Sequence, residues 1–356
     1  MLIGGVDTEE RVVVIAEIGN NHGGDVDRAR RQIDLAHEAG ADVVKFQTYL
    51  PEHYVNRRDN EQRFKNLTRW QLSFDDFDCL ARHAKGRGIN FLSTPFDLQS
   101  ARFLGGNPYV DAIKVSSGDN TFLPLIRVCA ETAKPMIIST GIANQPEIKI
   151  ATDLVSSTWA GIATSPGLAI LHCVTSYPVS PQDANLLAIR SLAASFPKLV
   201  AGYSDHTTSN RACVLAVALG ARIIERHFTD DRNSTEGPDH HLSVDPLGMA
   251  ELVATIRDLP SPALGVNPSK VEDSVLLGDG TIGMLGCEAQ MMPLVRRSIV
   301  ANADLDAGTV LCRNDITWVR PGNGLAPGRE DLVLGRRLTR AIAHWEPIQP
   351  KDLAPR

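Results

Sequence analysis

Short apolar runs rich in valine and isoleucine alternate with helical stretches through most of this 356-residue chain. Eight such runs occur between about residue 12 and about residue 258, and in the segments between them apolar residues recur every three or four positions. Strands that alternate with helices form parallel sheets, and eight such units close naturally into a barrel. The sequence therefore predicts an α/β fold, a (β/α)8 TIM barrel. The runs begin at Val12, Asp42, Asn90, Ala112, Pro135, Leu168, Leu199 and Arg222.

An open doubly wound sheet is the alternative fold for this α/β pattern. Such a sheet needs no eighth strand, and it usually carries a glycine-rich GxGxxG phosphate loop after its first strand. Here the first strand runs into EIGNNHGG, from Glu17, which lacks that spacing. The barrel is therefore the favoured fold.

The chain changes character after about residue 260. Residues 261–292 are rich in glycine, proline, aspartate and serine without a clear period, which indicates a linker. Residues 293–356 contain short strand-like runs separated by the turn sequences PGNG and APG. We therefore divide the chain into a barrel over 1–260, a linker over 261–292 and a small β-rich domain over 293–356.

Charge and cysteine content restrict the partners and the compartment of such a barrel. The 36 lysines and arginines against 42 aspartates and glutamates give a formal net charge of −6. Nucleic acids and anionic membranes are bound by net or clustered positive charge, so we expect neither as a partner. The six cysteines include no CxxC pair and no targeting segment is visible, so we expect a cytoplasmic protein.

Polar side chains follow almost every predicted strand, at the end where TIM barrels carry their active sites. Any one of them more often caps a helix than binds a ligand, but two lysines and several hydroxyls at one mouth favour a site. Lysines, hydroxyls and helix N-termini all donate hydrogen bonds, which suits a small, multiply charged anion. We therefore expect a phosphate-bearing substrate. The set includes Lys45, Gln47, Thr94, Lys114, Ser117, Ser139, Thr175, Tyr177 and Ser204.

Two histidines, His206 and His227, end the predicted seventh and eighth strands, so their rings can approach each other. A single histidine at a strand end is more often a hydrogen-bonding group than a metal ligand. Two on adjacent strands, beside the carboxylates Glu17, Asp205 and Glu225, favour a divalent metal ion. Two imidazoles without a thiolate suit Mn, Fe, Co or Zn with open water positions, and the spacing leaves the choice open.

Each predicted strand end carries a distinctive sequence motif. In chain order these are AEIGNNHGG from Ala16, VKFQT from Val44, STPFD from Ser93, IKVSSGD from Ile113, ISTG from Ile138, LHCVTSYP from Leu171, GYSDHT from Gly202 and ERHFTDD from Glu225, followed by GPDHHLSVDP from Gly237. The C-terminal segment adds RRSIVA and DITWVRPGNGL. Together, over nearly the whole chain, they resemble the sialic acid (N-acetylneuraminate) synthase family with its antifreeze-like (SAF) domain.

The resemblance implies a reaction, a cofactor and an assembly. The reaction is the condensation of phosphoenolpyruvate with an N-acetylated hexosamine such as N-acetylmannosamine, giving a nine-carbon 2-keto sugar acid and phosphate by C–O cleavage. The cofactor is a divalent cation, usually Mn2+, held by His206 and His227. The assembly is a domain-swapped homodimer in which the small domain covers the partner's active site.

The resemblance also implies roles for individual residues. Glu17 would lie near the reacting carbons with Lys45 close by, and Arg320 would reach into the neighbouring subunit to hold the N-acyl group. Residues around phosphoenolpyruvate would be Thr94, Lys114, Ser117, Ser139, Thr175 and Ser204, and residues around the sugar would be Gln47, Asp119, Tyr177 and Asp239.

Two positions depart from the family's usual motifs. Thr175 stands where Asn is frequent, although a threonine can still donate to a phosphate oxygen. Asp119 stands where the family commonly reads SGE, and its carboxylate is one methylene shorter, which suggests a different sugar. The segment 49–73 matches no part of the family pattern and is a candidate determinant of sugar specificity.

Three other functions compete with this interpretation. A legionaminic- or pseudaminic-acid synthase would use the same chemistry on a 2,4-diacetamido-trideoxyhexose. A 3-deoxy-sugar-phosphate synthase is disfavoured, because those enzymes lack the C-terminal PGNG domain and need a phosphorylated aldose. A non-catalytic carbohydrate-binding protein of polysaccharide assembly predicts the loss of strand-end lysines and histidines, whereas Lys45, Lys114, His206 and His227 are all present.

Overall fold

Eight parallel strands form a closed barrel in the computed structural model, which describes residues 1–259 and 271–355. Neighbouring strands follow chain order, and the eighth strand pairs with the first, so the TIM-barrel prediction is confirmed. A short hairpin precedes the barrel and a two-stranded sheet follows it. The strands are β1 (Leu2–Ile3), β2 (Val6–Asp7), β3 (Val13–Gly19), β4 (Val43–Thr48), β5 (Asn90–Pro95), β6 (Ala112–Val115), β7 (Met136–Ser139), β8 (Leu168–Cys173), β9 (Val200–Asp205), β10 (Ile223–His227), β11 (Ser298–Ala301) and β12 (Ile316–Val319).

Helices cover the outside of the barrel, and local signals set their ends. Ser73 and Asp76 form a reciprocal capping box at the start of α3, and Gly88 ends that helix in the left-handed conformation at φ +82°. The helices are α1 (Val26–Glu38), α2 (Glu61–Trp70), α3 (Phe74–Arg87), α4 (Leu98–Gly106), α5 (Leu123–Glu131), α6 (Gln145–Trp159), α7 (Ala188–Ser195), α8 (Arg211–Ala218), α9 (Pro246–Arg257), α10 (Val271–Leu277) and α11 (Met292–Val295).

Each barrel strand is buried on both faces, and its side chains alternate between two cores. In β3, Val14 and Ala16 pack outward against the helices, whereas Val13 and Ile15 point into the barrel. Ile3 from the N-terminal hairpin packs on this inner layer. The alternation brings polar strand-end residues to the inner face at the opposite end of the barrel.

The C-terminal part of the chain docks on the barrel. Of the predicted linker, residues 261–270 lie outside the described residues, and residues 271–292 include helix α10. Backbone amides of Leu186 and Leu187 donate to the carbonyls of Leu276 and Leu277 at 3.0 and 2.9 Å. Beyond this segment, β11 and β12 pair antiparallel in a small β-rich domain.

In residues 1–259 and 271–355 no helix is long and apolar enough to cross a membrane. All six cysteines are free thiols. Free thiols are typical of proteins that stay in a reducing environment.

Candidate active site

A cavity of about 770 Å³ opens at the C-terminal ends of the barrel strands. Every residue that the sequence singled out as a site residue lines this cavity, except Asp119 and the carboxylate Asp205, which is buried in an ion pair with Arg226. Period-two alternation along the strands explains the convergence, because it turns the last inward side chains of several strands toward one mouth. The lining residues are Glu17, Lys45, Gln47, Thr94, Lys114, Ser117, Ser139, Thr175, Tyr177, Ser204, His206, His227, Asp239 and Arg320.

Two lysines and two glutamates form a buried charge cluster at the bottom of the cavity. Lys45 Nζ lies 2.7 Å from Glu17 Oε2 and 3.6 Å from Glu225 Oε1, and Lys114 Nζ lies 3.7 Å from the same Glu225 oxygen. Ser204 Oγ donates to Glu225 Oε1 at 3.0 Å. The four formal charges cancel, so the cluster is neutral as a whole.

Burial acts differently on the members of this cluster. Burial and the nearby Glu225 raise the pKa of Glu17, although Lys45 opposes the rise. Burial acts in the same direction on Glu225, but Lys114 and Lys45 overcome it and hold the pKa of Glu225 below its usual value. Burial lowers the pKa of Lys114, whereas the two carboxylates outweigh burial and raise the pKa of Lys45. Glu17 is therefore the carboxylate in this cluster best suited to accept a proton.

Hydroxyl groups surround the two lysines. Lys45 Nζ donates to Thr94 Oγ1 at 3.2 Å, and Lys114 Nζ donates to Ser139 Oγ at 2.6 Å. The Thr175 hydroxyl is buried and has no hydrogen-bond partner within the described part of the chain. Such donors can be recruited by phosphate and carboxylate oxygens.

The two histidines lie side by side at the mouth, with ring centroids 5.4 Å apart. His206 Nδ1 is 2.8 Å from the Val174 carbonyl oxygen, so its Nε2 can serve as a ligand. His227 Nδ1 is buried without a hydrogen-bond partner among the described residues, and the nearest carboxylate oxygen, on Asp239, is 3.9 Å away. These unused nitrogens fit a divalent cation bound by two imidazoles.

The protonation of the two rings differs. Burial and the neighbouring His206 hold the pKa of His227 well below its usual value, so this ring is neutral. Burial lowers the pKa of His206, but Cys173 and the Val174 carbonyl raise it to about 9, so a cation that binds there must displace a proton. Across residues 1–259 and 271–355, no group of three or more His, Cys, Asp or Glu side chains is arranged to hold a metal. Other ligands would have to be water or substrate.

Asp119 differs from the expectation of a sugar contact. Its carboxylate is fully buried behind the cavity wall and receives hydrogen bonds from Arg297 Nε at 2.6 Å, Arg320 Nη2 at 2.8 Å and Ser116 Oγ at 3.0 Å. Burial acts to raise the pKa of Asp119, but the two guanidinium groups hold it below its usual value. The short side chain ends on these arginines, so Asp119 holds Arg320 and does not line the cavity.

Arg320 lines the cavity of its own chain, where the resemblance implied that it would reach into a neighbouring subunit. Its Nη1 donates to Tyr54 Oη at 3.1 Å, and its backbone carbonyl accepts from the Asn56 amide at 2.8 Å. Its Nε is buried and unpartnered within residues 1–259 and 271–355. Assembly into a domain-swapped homodimer stays a prediction.

Helix α2, which lies inside the segment 49–73, contributes to the cavity, and the sequence motifs did not indicate this. One face of this helix lines the outer part of the cavity, and Asn60 caps its start by accepting from the Arg63 amide. Positions three and four apart share one face of a helix, but on this face polar and apolar residues are mixed, so the sequence shows no clear apolar repeat. The residues on this face are Asn60, Arg63, Asn66, Leu67 and Trp70.

Family comparisons place this geometry among known proteins. Residues 32–267 match the NeuB family. The chain belongs to the NeuB family. Residues 296–354 match the SAF domain, so both parts of the resemblance found in the sequence are confirmed.

Relatives in the NeuB family cover nearly all of the chain. It is 37% identical to N,N'-diacetyllegionaminic acid synthase of Legionella pneumophila, over 94% of each chain. It is 34% identical to human N-acetylneuraminate-9-phosphate synthase, over 94% of this chain and 90% of the human protein. Among solved structures it is similar to the spore coat polysaccharide biosynthesis protein SpsE of Bacillus subtilis, with a TM-score of 0.81, 32% identity and coverage of 97% and 96%.

Proposed function

We propose that this NeuB-family chain is a transferase that condenses phosphoenolpyruvate with an N-acetylated hexosamine. The products are a nine-carbon 2-keto sugar acid and phosphate. The observation that carries the proposal is the mouth of the barrel, where two buried lysines, unused hydroxyl donors and two adjacent histidines line one cavity. Relatives named as sialic and legionaminic acid synthases support it.

Electrostatics support the binding of an anion together with a cation. The charge cluster of Glu17, Lys45, Lys114 and Glu225 is neutral, and a phosphoenolpyruvate anion adds two or more negative charges to a buried site. Buried charge is costly unless it is paired. A divalent cation beside the anion therefore supplies the missing positive charge.

We infer that this cation, Mn2+ as the first candidate, would be held by His206 and His227. When bound, it would act as a Lewis acid toward the aldehyde oxygen of the open-chain sugar. Two protein ligands leave positions for water and substrate oxygens, which suits a catalytic site.

The residues around phosphoenolpyruvate orient it for attack. Lys114, Ser139 and Thr175 would hold the phosphate, with further donors on Thr94, Ser117 and Ser204. In this proposal C3 of phosphoenolpyruvate would lie against the sugar aldehyde carbon, and positive charge would develop at C2 as the new C–C bond forms. Orientation and preorganised charge supply the rate enhancement.

Water then adds at C2, and the tetrahedral intermediate loses phosphate by breaking its C2–O bond. We propose that Glu17 accepts the proton that the attacking water loses, because burial raises the pKa of Glu17. Lys45 is 2.7 Å from Glu17 and keeps the carboxylate oriented. Both are catalytic residues in this proposal.

The sugar would lie between the charge cluster and the outer part of the cavity. Gln47 Nε2 donates to Glu17 Oε1 at 3.3 Å. This hydrogen bond connects a residue of the proposed sugar side with the carboxylate that we assign to the reacting carbons. Tyr177 and Asp239 lie beside the histidines, and burial raises the pKa of Asp239. The unpartnered Nε of Arg320 is a donor for the carbonyl oxygen of the N-acyl group.

A diacetamido sugar is a second candidate acceptor. Two relatives, at 37% and 34% identity, are named N,N'-diacetyllegionaminic acid synthases, and polar α2 residues at the outer cavity could contact a further amide. In that case the product would be of the legionaminic or pseudaminic type. A non-catalytic carbohydrate-binding role does not account for the buried lysine–glutamate cluster.

A substrate panel tests the proposed function. N-acetylmannosamine, its 6-phosphate and 2,4-diacetamido-trideoxyhexoses are each incubated with phosphoenolpyruvate and Mn2+, and phosphate release is followed. We expect phosphate release that depends on one of these sugars. Lys114→Met and His227→Ala should both abolish this release, and His227→Ala should also weaken Mn2+ binding. No sugar-dependent release from the folded, metal-loaded protein would overturn the proposal.

We also propose that the chain forms a cytoplasmic homodimer with exchanged small domains. The resemblance supports the exchange, and the free thiols support a reducing compartment. In the exchanged dimer, the contacts that Arg320 makes with Asp119 and Tyr54 would form between two chains.

A further inference from the structure

The loop that follows β7 contains a residue in an unfavourable backbone conformation. Ile142 has φ of +55°, in the left-handed region that β-branched residues avoid. Its side chain is 4% exposed. A buried isoleucine persists in such a conformation only when its surroundings hold it there.

Side chains from outside the barrel hold both backbone groups of this residue. Glu288 Oε1 accepts from the Ile142 amide at 3.0 Å, and Arg296 Nη2 donates to the Ile142 carbonyl oxygen at 3.2 Å. Both partners belong to residues 285–296, which we call the docking segment and which leads from the barrel to the small domain. The docking segment thus fixes the conformation of a barrel loop.

Glu288 also reaches the neighbouring strand end. Its Oε1 accepts from the Thr175 amide at 2.7 Å, and its Oε2 accepts from the Leu285 amide at 2.8 Å. The carboxylate is 1% exposed and spans the loops after β7 and β8. Because the Thr175 amide is occupied, Thr175 can offer a ligand only its unpartnered hydroxyl.

Arg296 extends the same network under the loop. It donates to Asn120 Oδ1 and, at 2.8 Å, to Thr121 Oγ1. Asn120 Nδ2 in turn donates to the carbonyl oxygens of Ser139 and Gly141, each at 3.3 Å. Ser139 is the residue that accepts from Lys114, so the network ends at the phosphate side of the proposed site.

Close packing makes the position of this loop critical. A Cβ atom added to Gly141 would lie 2.4 Å from Thr175 Oγ1 and 2.8 Å from Ser117 Oγ. The loop backbone therefore passes directly against two hydroxyls of the phosphate side. A small displacement of Gly141 would move these donors relative to Lys114.

We propose that Glu288 and Arg296 are positioning residues that clamp the strained loop 140–142 and Thr175 in the geometry that binds phosphoenolpyruvate. The inference rests on the proposed function of the mouth. Loss of either clamp lets Ile142 relax to negative φ, which withdraws the loop from the phosphate side. The sugar side, formed by Gln47, Tyr177 and Arg320, is not part of this network.

The test measures binding of phosphoenolpyruvate by calorimetry, and both KM values, in Glu288→Met, which removes the oxygen that accepts from both the Ile142 and the Thr175 amides. We expect Kd and KM for phosphoenolpyruvate to rise at least tenfold, with the sugar KM changed less than twofold. Arg296→Met should show the same split. Glu131→Met, at an exposed position at the end of α5, is the matched control and should equal wild type.

A rescue experiment separates positioning from a merely structural role. Glycine adopts positive φ without strain, so Ile142→Gly added to E288M should raise the phosphoenolpyruvate affinity at least threefold above that of E288M alone. E288M that binds phosphoenolpyruvate like wild type, or loses sugar and phosphoenolpyruvate affinity equally without rescue, would overturn the clamp alone. Wild-type protein that binds no phosphoenolpyruvate would overturn the proposed function as well.

Discussion

Asp119 joins the barrel to the small domain through two buried guanidinium groups. One carboxylate faces Arg297 and Arg320, which leaves one net positive charge beside the part of the cavity where we propose that the sugar binds. Aromatic faces compensate in part, since the Arg297 Cζ lies 4.7 Å from the Phe122 ring centroid and the Arg320 Cζ 4.8 Å from that of Tyr54. The orientation of Arg320 therefore depends on one carboxylate.

Replacing Asp119 by asparagine should destabilise the protein strongly. Removal of the charge leaves two buried guanidinium groups without their counterion, which costs about 3–5 kcal/mol of unfolding free energy. Urea unfolding measures the loss. Asp153→Asn, which breaks an exposed ion pair with Lys149 in α6, is the control and should change stability by less than about 0.5 kcal/mol. Equal midpoints for D119N and wild type would contradict the role of Asp119.

His172 should make stability depend on pH. Burial lowers its pKa to about 4, although its hydrogen bond to the Ala184 carbonyl opposes the fall. The unfolded chain, with a pKa of about 6.5 at this position, takes up the proton first as pH falls. The stabilisation is complete above about pH 6.5 and is lost on the way down to about pH 4.

The variant His172→Gln keeps a donor for Ala184 but cannot titrate. The stability difference between wild type and H172Q should therefore shrink by about 2 kcal/mol between pH 7 and pH 4.5. Urea unfolding at the two pH values measures it. A difference that stays constant with pH would show that His172 is not held neutral by the fold.

Prediction from sequence succeeded for residues whose position depends on a local period. Lys45, Lys114 and the two histidines alternate inward along strands, so their convergence follows from strand geometry. Asp119 could not be predicted in the same way, because its partner Arg297 is 178 residues away in the chain. Contacts of that kind depend on tertiary docking, which leaves no periodic signal.

At the scale of elements, the barrel strands and the helices that end in glycine were predictable, whereas α2 was not. Apolar periodicity and the stop signal of Gly88 set α3. In α2 only Leu67 is fully buried, so the apolar repeat that reveals most helices is nearly absent. Its inner face mixes polar residues with Leu67 and Trp70, because it lines the cavity.

Two glycine substitutions should have opposite effects on the elements that contain them. A Cβ on Gly202, inside β9, would lie 2.5 Å from Leu171 Cδ2 and 2.6 Å from the Ile223 carbonyl oxygen, so Gly202→Ala should lower stability by about 1–3 kcal/mol. Gly86, inside α3, has no neighbouring atom within 4 Å of its Cβ position in the described structure, so Gly86→Ala should raise stability by about 0.5–1 kcal/mol. Thermal unfolding checks both, and equal shifts of one sign would contradict this description of the packing.

At the scale of the whole molecule, the active site is assembled from distant parts of the chain. Met291 and Val295 from the docking segment and Arg320 from the small domain line the same cavity as the barrel strands. The sequence indicated a separate C-terminal domain but not its placement, because the contacts span the length of the chain. The barrel residues alone therefore form an incomplete site.

Mixing two inactive variants should reveal the exchange of small domains. Lys114→Met inactivates the part of the site that the barrel supplies, and Arg320→Ala inactivates the part that the small domain supplies. In an exchanged heterodimer, one of the two sites then has both residues intact. After joint unfolding and refolding in equal amounts, we expect about a quarter of wild-type activity, since half of the dimers are mixed and half of their sites work. If no activity is recovered, each small domain completes the site of its own barrel, as in the described single chain.

The central claim is that the mouth of this barrel condenses phosphoenolpyruvate with an N-acetylated sugar by breaking the C–O bond to phosphate. The most direct measurement uses phosphoenolpyruvate labelled with oxygen-18 at the bridging position, together with the accepted sugar and Mn2+, and mass spectrometry of both products. We predict that the label leaves with the phosphate and is absent from the 2-keto sugar acid. Label retained in the sugar acid, or phosphate release that does not depend on the sugar, would contradict the account.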